Sequence, residues 1–114
     1  MVDYIIETKM FVDKLKKTDE YSHYEICKNS IKSNPQLLDR LNEYRKKSFE
    51  IYSSNEDSYE VYENTLKLNN HYNELLNEPK IKEFLDAEIE LSRIISSIYN
   101  CIATEIDIDI EFLK

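Results

Sequence analysis

The chain of 114 residues contains no glycine and only two prolines. Glycine supplies the positive-φ backbone on which tight hairpin turns and phosphate-binding loops depend. Its absence therefore argues against β-rich, Rossmann and P-loop architectures. The abundance of Glu, Lys, Leu, Ile and Asn instead predicts an all-α fold with short connections between its helices.

Charge and hydrophobicity describe a folded, acidic protein. Hydrophobic residues make up 41% of the chain and charged residues 33%, which provides enough apolar surface to offset the ordering of the backbone. The net charge of −8 argues against direct nucleic-acid binding, because phosphates would be repelled, and it suits basic protein partners. The basic clusters Lys14–Lys17 and Arg45–Lys47 lie among acidic neighbours, and we interpret them as solvated helix faces.

The sequence predicts no membrane span, signal peptide or cofactor. No window approaches the roughly 18 continuous apolar residues that a span requires. The first residues, MVDYIIETKM, carry an early Asp3 and no long apolar core. Cys27 and Cys101 are far apart and form no CxxC pair, so we expect free, reduced thiols in a cytoplasmic protein.

Local signals divide the chain into five predicted helices. Thr18, Asn34 with Pro35, and Pro79 mark helix starts, because they offer side-chain caps or a fixed helical φ. Either Asp57 or Ser58 caps the fourth helix. The predicted ranges are 3–17, 19–33, 35–54, 57/58–76 and 79–105. The remaining IDIDIEFLK alternates like a strand while its isoleucines continue a helical stripe, so fraying or an extended arm is expected.

The last predicted helix carries a wide apolar face. Written as heptads from Ile81, it gives one core column with Glu88, Ile95 and Ile102 and a second with Phe84, Leu91, Ile98 and Glu105. A helix of about 40 Å cannot easily be covered by a single domain of residues 1–114. We therefore predict an elongated helical hairpin or bundle that dimerises through this helix, with itself or with a related helical chain. The alternative is a closed monomeric bundle.

The interface candidates are apolar residues of this helix and one acid. The sequence does not separate packing from interface roles for Phe84, Leu91, Ile95, Ile98 and Ile102. Glu88 interrupts their seam, and a buried carboxylate needs a partner such as Lys, Arg or Tyr. Supercoil drift that turns Glu88 to the rim is the alternative.

Patterns for metal binding or catalysis are weak. Glu20 and His23 have the Glu-x-x-His spacing of di-iron bundles, whereas His71 and Glu74 occur in the reverse order. A di-iron site needs two such pairs and two further glutamates. An oxyanion-hole loop usually requires glycine. We therefore predict no catalytic, cofactor-binding or metal-binding residues.

The run PKIKEFLDAEIELSRIISSIYNCIATEI, with its Ala87–Glu88 step and spaced aliphatic residues, resembles the C-terminal helix of the YlbF/YmcA/YheA family of small helical bacterial proteins. The segment KTDEYSHYEICKNSIKSNPQLLDRLNEYRKKSFEIY fits the family's middle helices, and short YheA-like members are the most similar. The resemblance implies a dimerising all-α fold. It also implies non-enzymatic regulation of competence, sporulation and biofilm formation, partly through an mRNA-cleaving endonuclease. The iron–sulfur cluster of some relatives is not implied, because this chain has only Cys27 and Cys101.

These observations predict a non-enzymatic regulatory module that binds protein partners. The mechanism would be docking of helix faces that carry apolar and tyrosine side chains, with acidic rims selecting the partner. Two alternatives stay open: a metal-binding helical-bundle enzyme and an RNA-associated adaptor. The adaptor would require the lysine clusters to form one patch.

Overall fold

The computed structural model describes residues 3–107, and the statements below concern that range. Within it the protein is all-α, without strands, and the prediction of a long C-terminal helix is confirmed. None of the described helices has the length and hydrophobicity that crossing a membrane would take. The helices are α1 (Tyr4–Leu15), α2 (Asp19–Lys32), α3 (Pro35–Tyr52), α4 (Ser58–His71), α5 (Asn73–Leu76) and α6 (Pro79–Glu105).

The predicted capping residues hold the helix starts. The Asn34 side chain accepts a hydrogen bond from the Leu37 N–H at 3.2 Å, and the Thr18 hydroxyl accepts one from the Tyr21 N–H at 3.3 Å. Asp57, rather than Ser58, caps α4 by accepting from the Glu60 N–H at 2.8 Å. Such bonds satisfy N–H groups that a helix start leaves without partners, so they fix boundaries locally.

The predicted fourth helix is interrupted at Tyr72, so the chain has six helices over residues 3–107 rather than about five. Tyr72 has φ −101° and ψ 22°, outside the α-helical range. Its ring is buried and lies edge-on to the Tyr44 ring at 5.5 Å, and its hydroxyl accepts from Lys47 Nζ at 3.0 Å. These contacts with α3 fix the ring, and the nearby Asn70 and Asn73, which favour a helix only weakly, tolerate the break.

The turn that follows α6 contains a residue with positive φ, two positions after the last helical residue, Glu105. Asp107 has φ 55°, a conformation that aspartate tolerates better than most residues, and its N–H donates to the Thr104 carbonyl at 3.2 Å. The expected fraying or extended arm concerns residues 106–114. Ile106 and Asp107 form a turn, and residues 108–114 lie outside the described part of the chain.

The chain divides into two compact units. The central unit comprises residues 26–85, and the terminal unit comprises residues 3–25 and 86–107 of the described range. The single domain predicted for residues 1–114 stays a prediction. The core of the central unit is built from α2, α3, the region around α5 and the start of α6; its buried side chains are Cys27, Ile31, Leu41, Tyr72, Leu75, Ile81 and Phe84.

The terminal unit buries much less. Among its described residues only Ala87 and Ala103 are buried, and α1 has no buried residue. Alanine offers little apolar area, so this unit gains little from burial within one chain. Its large apolar side chains are mostly left in contact with water.

Candidate protein-interaction surface

Four apolar side chains form an exposed stripe on the C-terminal part of α6. Ile95, Tyr99, Ile102 and Ile106 are spaced four, three and four residues apart, which places them on one helix face like a coiled-coil seam. Their exposed fractions are 51%, 61%, 56% and 61%. Ile106 follows the last helical residue, but its N–H still donates to the Ile102 carbonyl at 3.1 Å and continues this face. We call these four residues the C-terminal stripe.

The structure distinguishes buried from exposed residues among the interface candidates, which the sequence could not do. Phe84 is 4% exposed in the central unit, where the Arg45 guanidinium lies 4.8 Å from its ring centroid, so it has a packing role. Leu91 and Ile98 are half-buried in the terminal unit. Of the predicted interface residues, Ile95 and Ile102 are the exposed apolar ones.

Glu88 lies seven residues before Ile95 and is half-buried. Seven residues are close to two helical turns, so Glu88 falls near the same face as the C-terminal stripe. In a contact through this face, the Glu88 carboxylate would need a hydrogen-bond donor or water beside it, because burying a charge without a partner is costly. Its role in an interface, like that of the apolar candidates, stays a prediction.

Sequence reasoning missed Tyr99, and it placed Ile106 in a helical stripe after Ile102 without choosing it as an interface candidate. The heptad pattern paired the column of Ile95 and Ile102 with a second column of Leu91, Ile98 and Glu105. In the structure Ile95 and Ile102 are exposed, but the second exposed column lies one residue later and contains Tyr99 and Ile106. The available signal was the three- and four-residue spacing of Tyr99 and Ile106 around Ile102. The pattern alone could not show which second column is exposed, because Ile98 with Glu105 and Tyr99 with Ile106 both have coiled-coil spacing relative to Ile102.

Further apolar groups are exposed on α1 of the same unit. Val12 and Leu15 are half-buried, but five larger side chains are exposed. Several exposed groups on one short helix exceed the scattered single apolar residues that are normal at protein surfaces. These side chains are Tyr4, Ile5, Ile6, Met10 and Phe11.

The thiols differ in their surroundings. Burial raises the pKa of the Cys27 thiol, and the nearby Glu83 carboxylate raises it further. A thiol is nucleophilic only as the thiolate, so this environment makes Cys27 less reactive. Cys101 is exposed on α6.

Other titrating groups take part in hydrogen bonds between helices or within one helix. The hydrogen bond to the Tyr72 hydroxyl raises the pKa of Lys47, and burial raises the pKa of Tyr44, whose hydroxyl donates to Asn69 Oδ1 at 2.7 Å. These bonds join α3 to α4 and to Tyr72. The Tyr21 hydroxyl donates to Glu25 Oε1 at 2.9 Å within α2. The arrangement of these groups is that of structural links.

The two histidine–glutamate spacings differ in context. Glu20 and His23 both lie on the continuous helix α2 and are half-buried. His71 ends α4 and Glu74 lies in α5, so the break at Tyr72 separates them. The His71 ring is instead edge-on to the Tyr72 ring, with 5.0 Å between centroids.

Comparison with known proteins confirms the resemblance noted in the sequence. The model of the family described as "Control of competence regulator ComK, YlbF/YmcA" matches residues 5–107. A UPF0342 protein of Symbiobacterium thermophilum is 26% identical over 101 residues, which cover 88% of this chain and 90% of the relative. A UPF0342 protein of Caldicellulosiruptor bescii is 29% identical over 94 residues, with 82% and 79% covered. No solved structure matches the chain.

Proposed function

This chain belongs to the YlbF/YmcA family, described as controlling the competence regulator ComK, and we propose that it is a cytoplasmic, non-enzymatic regulator that acts by binding protein. The binding surface in this proposal is the C-terminal stripe. The observation that carries it is the exposure of four large side chains along one face, three of them on α6 and the fourth, Ile106, directly after its end. An apolar face of this kind is a common docking element between helices.

The occupant we propose for the stripe is a second copy of the chain. A seam with alternating four- and three-residue steps is self-complementary, and a two-fold contact uses every residue of it twice. Covering a large aliphatic side chain completely contributes about 1.5–3 kcal/mol, so the exposed half of each contributes about 1 kcal/mol. The eight side chains of the two stripes contribute about 8 kcal/mol, against an association cost of about 4–15 kcal/mol, so the stripe supplies a large part of the free energy that a dimer needs.

In this proposal the same stripe would also let the protein regulate a partner. A related helical chain could replace the second copy on the same face, so that self-association and partner binding compete. The acidic net charge of −8 would then favour partners whose rim is basic. The family description supports a regulatory role of this kind.

A matched pair of isoleucine substitutions tests the proposal. Ile102→Asp places a charge in the seam, and Ile26→Asp introduces the same charge at an isoleucine of α2 that is 68% exposed. Both variants should keep the helical circular dichroism of the wild type, because neither site is buried. Sedimentation equilibrium should give dimers for the wild type and Ile26→Asp and monomers for Ile102→Asp.

Capture from lysate of the native cell, followed by mass spectrometry, extends the test to other partners. Proteins retained by the wild type and by Ile26→Asp should be lost with Ile102→Asp. If the two variants sediment alike and retain the same proteins, the C-terminal stripe is not the binding surface.

A further inference from the structure

A second surface lies in the central unit, where α3 ends and α4 begins. Residues 48–66 contain five acidic and four aromatic residues and no lysine, arginine or histidine. This segment has a charge of −5, more than half of the net charge of the whole chain, −8. The acids are Glu50, Glu56, Asp57, Glu60 and Glu63, and the aromatic residues are Phe49, Tyr52, Tyr59 and Tyr62.

Two of these tyrosines line an open groove of about 340 Å³ between α3 and α4. Tyr52 at the end of α3 is 67% exposed, and Tyr62 on α4 is 61% exposed, so both rings offer free surface. Ser58, Val61 and Thr65 from α4 complete the wall, together with Ser54 and Glu56 of the connection. Tyrosine supplies a rigid aromatic surface with a polar tip, which suits an interface in contact with water.

Glu56 places a carboxylate where this groove meets an adjoining one, since its side chain lines both. Asn64 Nδ2 donates to Glu56 Oε2 at 2.8 Å, which positions the Glu56 side chain over α4. The neighbouring Asp57 carboxylate caps α4 and still adds negative charge. Aromatic faces and carboxylates attract the same class of group, a cation.

The adjoining groove has a lining of mixed charge. It shares Ser54 and Glu56 with the first groove, and Lys47, Glu50, Lys67 and His71 line its other parts. Its two lysines offset its two glutamates, whereas Glu56 is the charged residue among those that line the groove of Tyr52 and Tyr62. A cationic group is therefore favoured more beside Tyr52 and Tyr62 than in the adjoining groove.

We propose that the groove lined by Tyr52 and Tyr62 binds an arginine or lysine side chain within a basic segment of a partner protein. The cation would lie against the tyrosine rings with Glu56 as its counter-ion, and the remaining acids would hold the flanking basic residues near the surface. A nucleic acid is repelled by the same acids. This site does not depend on the C-terminal stripe.

Fluorescence anisotropy with a short fluorescein-labelled peptide of alternating arginine and serine tests the proposal. The peptide should bind the wild type, and binding should weaken with added salt because opposite charges attract it. The Tyr52→Ala/Tyr62→Ala double variant should raise Kd about tenfold, since each exposed cation–π contact contributes a few-fold. Tyr52→Phe/Tyr62→Phe keeps both rings and should restore binding, because the ring rather than the hydroxyl attracts the cation.

Three controls make the result decisive. Tyr4→Ala removes a tyrosine of α1 that is 77% exposed and should leave Kd unchanged. A peptide with glutamate in place of arginine should not bind. Amide NMR shifts caused by the arginine peptide should centre on Ser54, Ser58 and Thr65. Absence of binding at low salt, equal Kd for the wild type and the double alanine variant, or shifts centred elsewhere would each overturn the proposal.

Discussion

Tyr72 allows the contributions of a ring and a hydroxyl to the same core to be measured separately. The residue is 3% exposed, its ring packs edge-on against Tyr44, and its hydroxyl accepts from Lys47 Nζ at 3.0 Å. Tyr72→Ala removes a buried aromatic ring, which typically costs about 3–5 kcal/mol. A domain of this size has a free energy of unfolding of about 5–15 kcal/mol, so the loss is a large fraction of the total.

Tyr72→Phe keeps the ring and removes the hydrogen bond. The Lys47 side chain is 47% exposed, so water can replace the lost acceptor, and we expect a cost of at most about 1 kcal/mol. Urea unfolding followed by far-ultraviolet circular dichroism measures both changes, with an unchanged m value indicating an unchanged unfolded state. Tyr59→Ala, at a tyrosine of α4 that is 68% exposed, is the control and should change the free energy of unfolding by about 0.5 kcal/mol or less.

Two results would refute this reasoning. Equal losses for Tyr72→Phe and Tyr72→Ala would mean that the hydroxyl contact, rather than ring burial, stabilises the core. A loss for Tyr59→Ala as large as that for Tyr72→Ala would mean that burial does not distinguish the two positions.

Two further predictions concern a helix cap and the thiols. Asp57→Ala should lower the free energy of unfolding by about 1 kcal/mol, because the hydrogen bond from the Glu60 N–H is lost. Asn55→Ala in the same connection is the control and should have little effect. Equal urea midpoints for the two variants would contradict this prediction. With a chromogenic disulfide reagent at mildly alkaline pH, Cys101 should react at once and Cys27 only after unfolding. The Cys101→Ser variant leaves Cys27 as the one thiol, so its reaction can be followed separately. Because the pKa of Cys27 is raised in the folded state, this thiol ionises at a lower pH in the unfolded chain than in the folded one. The free energy of unfolding should therefore fall as the pH rises above about 8.5, and it should fall less for a Cys27→Ala variant.

The helix boundaries were predictable because their causes are local. Asn34 and Asp57 accept hydrogen bonds from N–H groups three residues away, and a proline fixes its own φ. These interactions act within one turn of the chain and need no knowledge of the rest of the fold. The break at Tyr72 was not predictable, since it accompanies contacts with Lys47 and Tyr44, more than 20 residues earlier in the sequence.

The interaction surfaces were likewise predictable in part from the local sequence and in part only from the tertiary structure. The spacing along α6 predicted a face that is too wide for one neighbour, and its exposed isoleucines support that interpretation. Which columns face solvent depended on tertiary packing, because Leu91 and Ile98 have the same helical spacing as Tyr99 and Ile106. The groove between Tyr52 and Tyr62 likewise requires two helices to lie side by side.

The sequence by itself therefore determined the all-α class, the capped helix starts and the apolar character of α6, because backbone conformation and capping depend on neighbouring residues. Only the tertiary structure decided that Phe84 is buried while Ile95 and Ile102 are exposed. The physical reason is that burial depends on what packs beside each turn of a helix, and residues distant in sequence supply that packing.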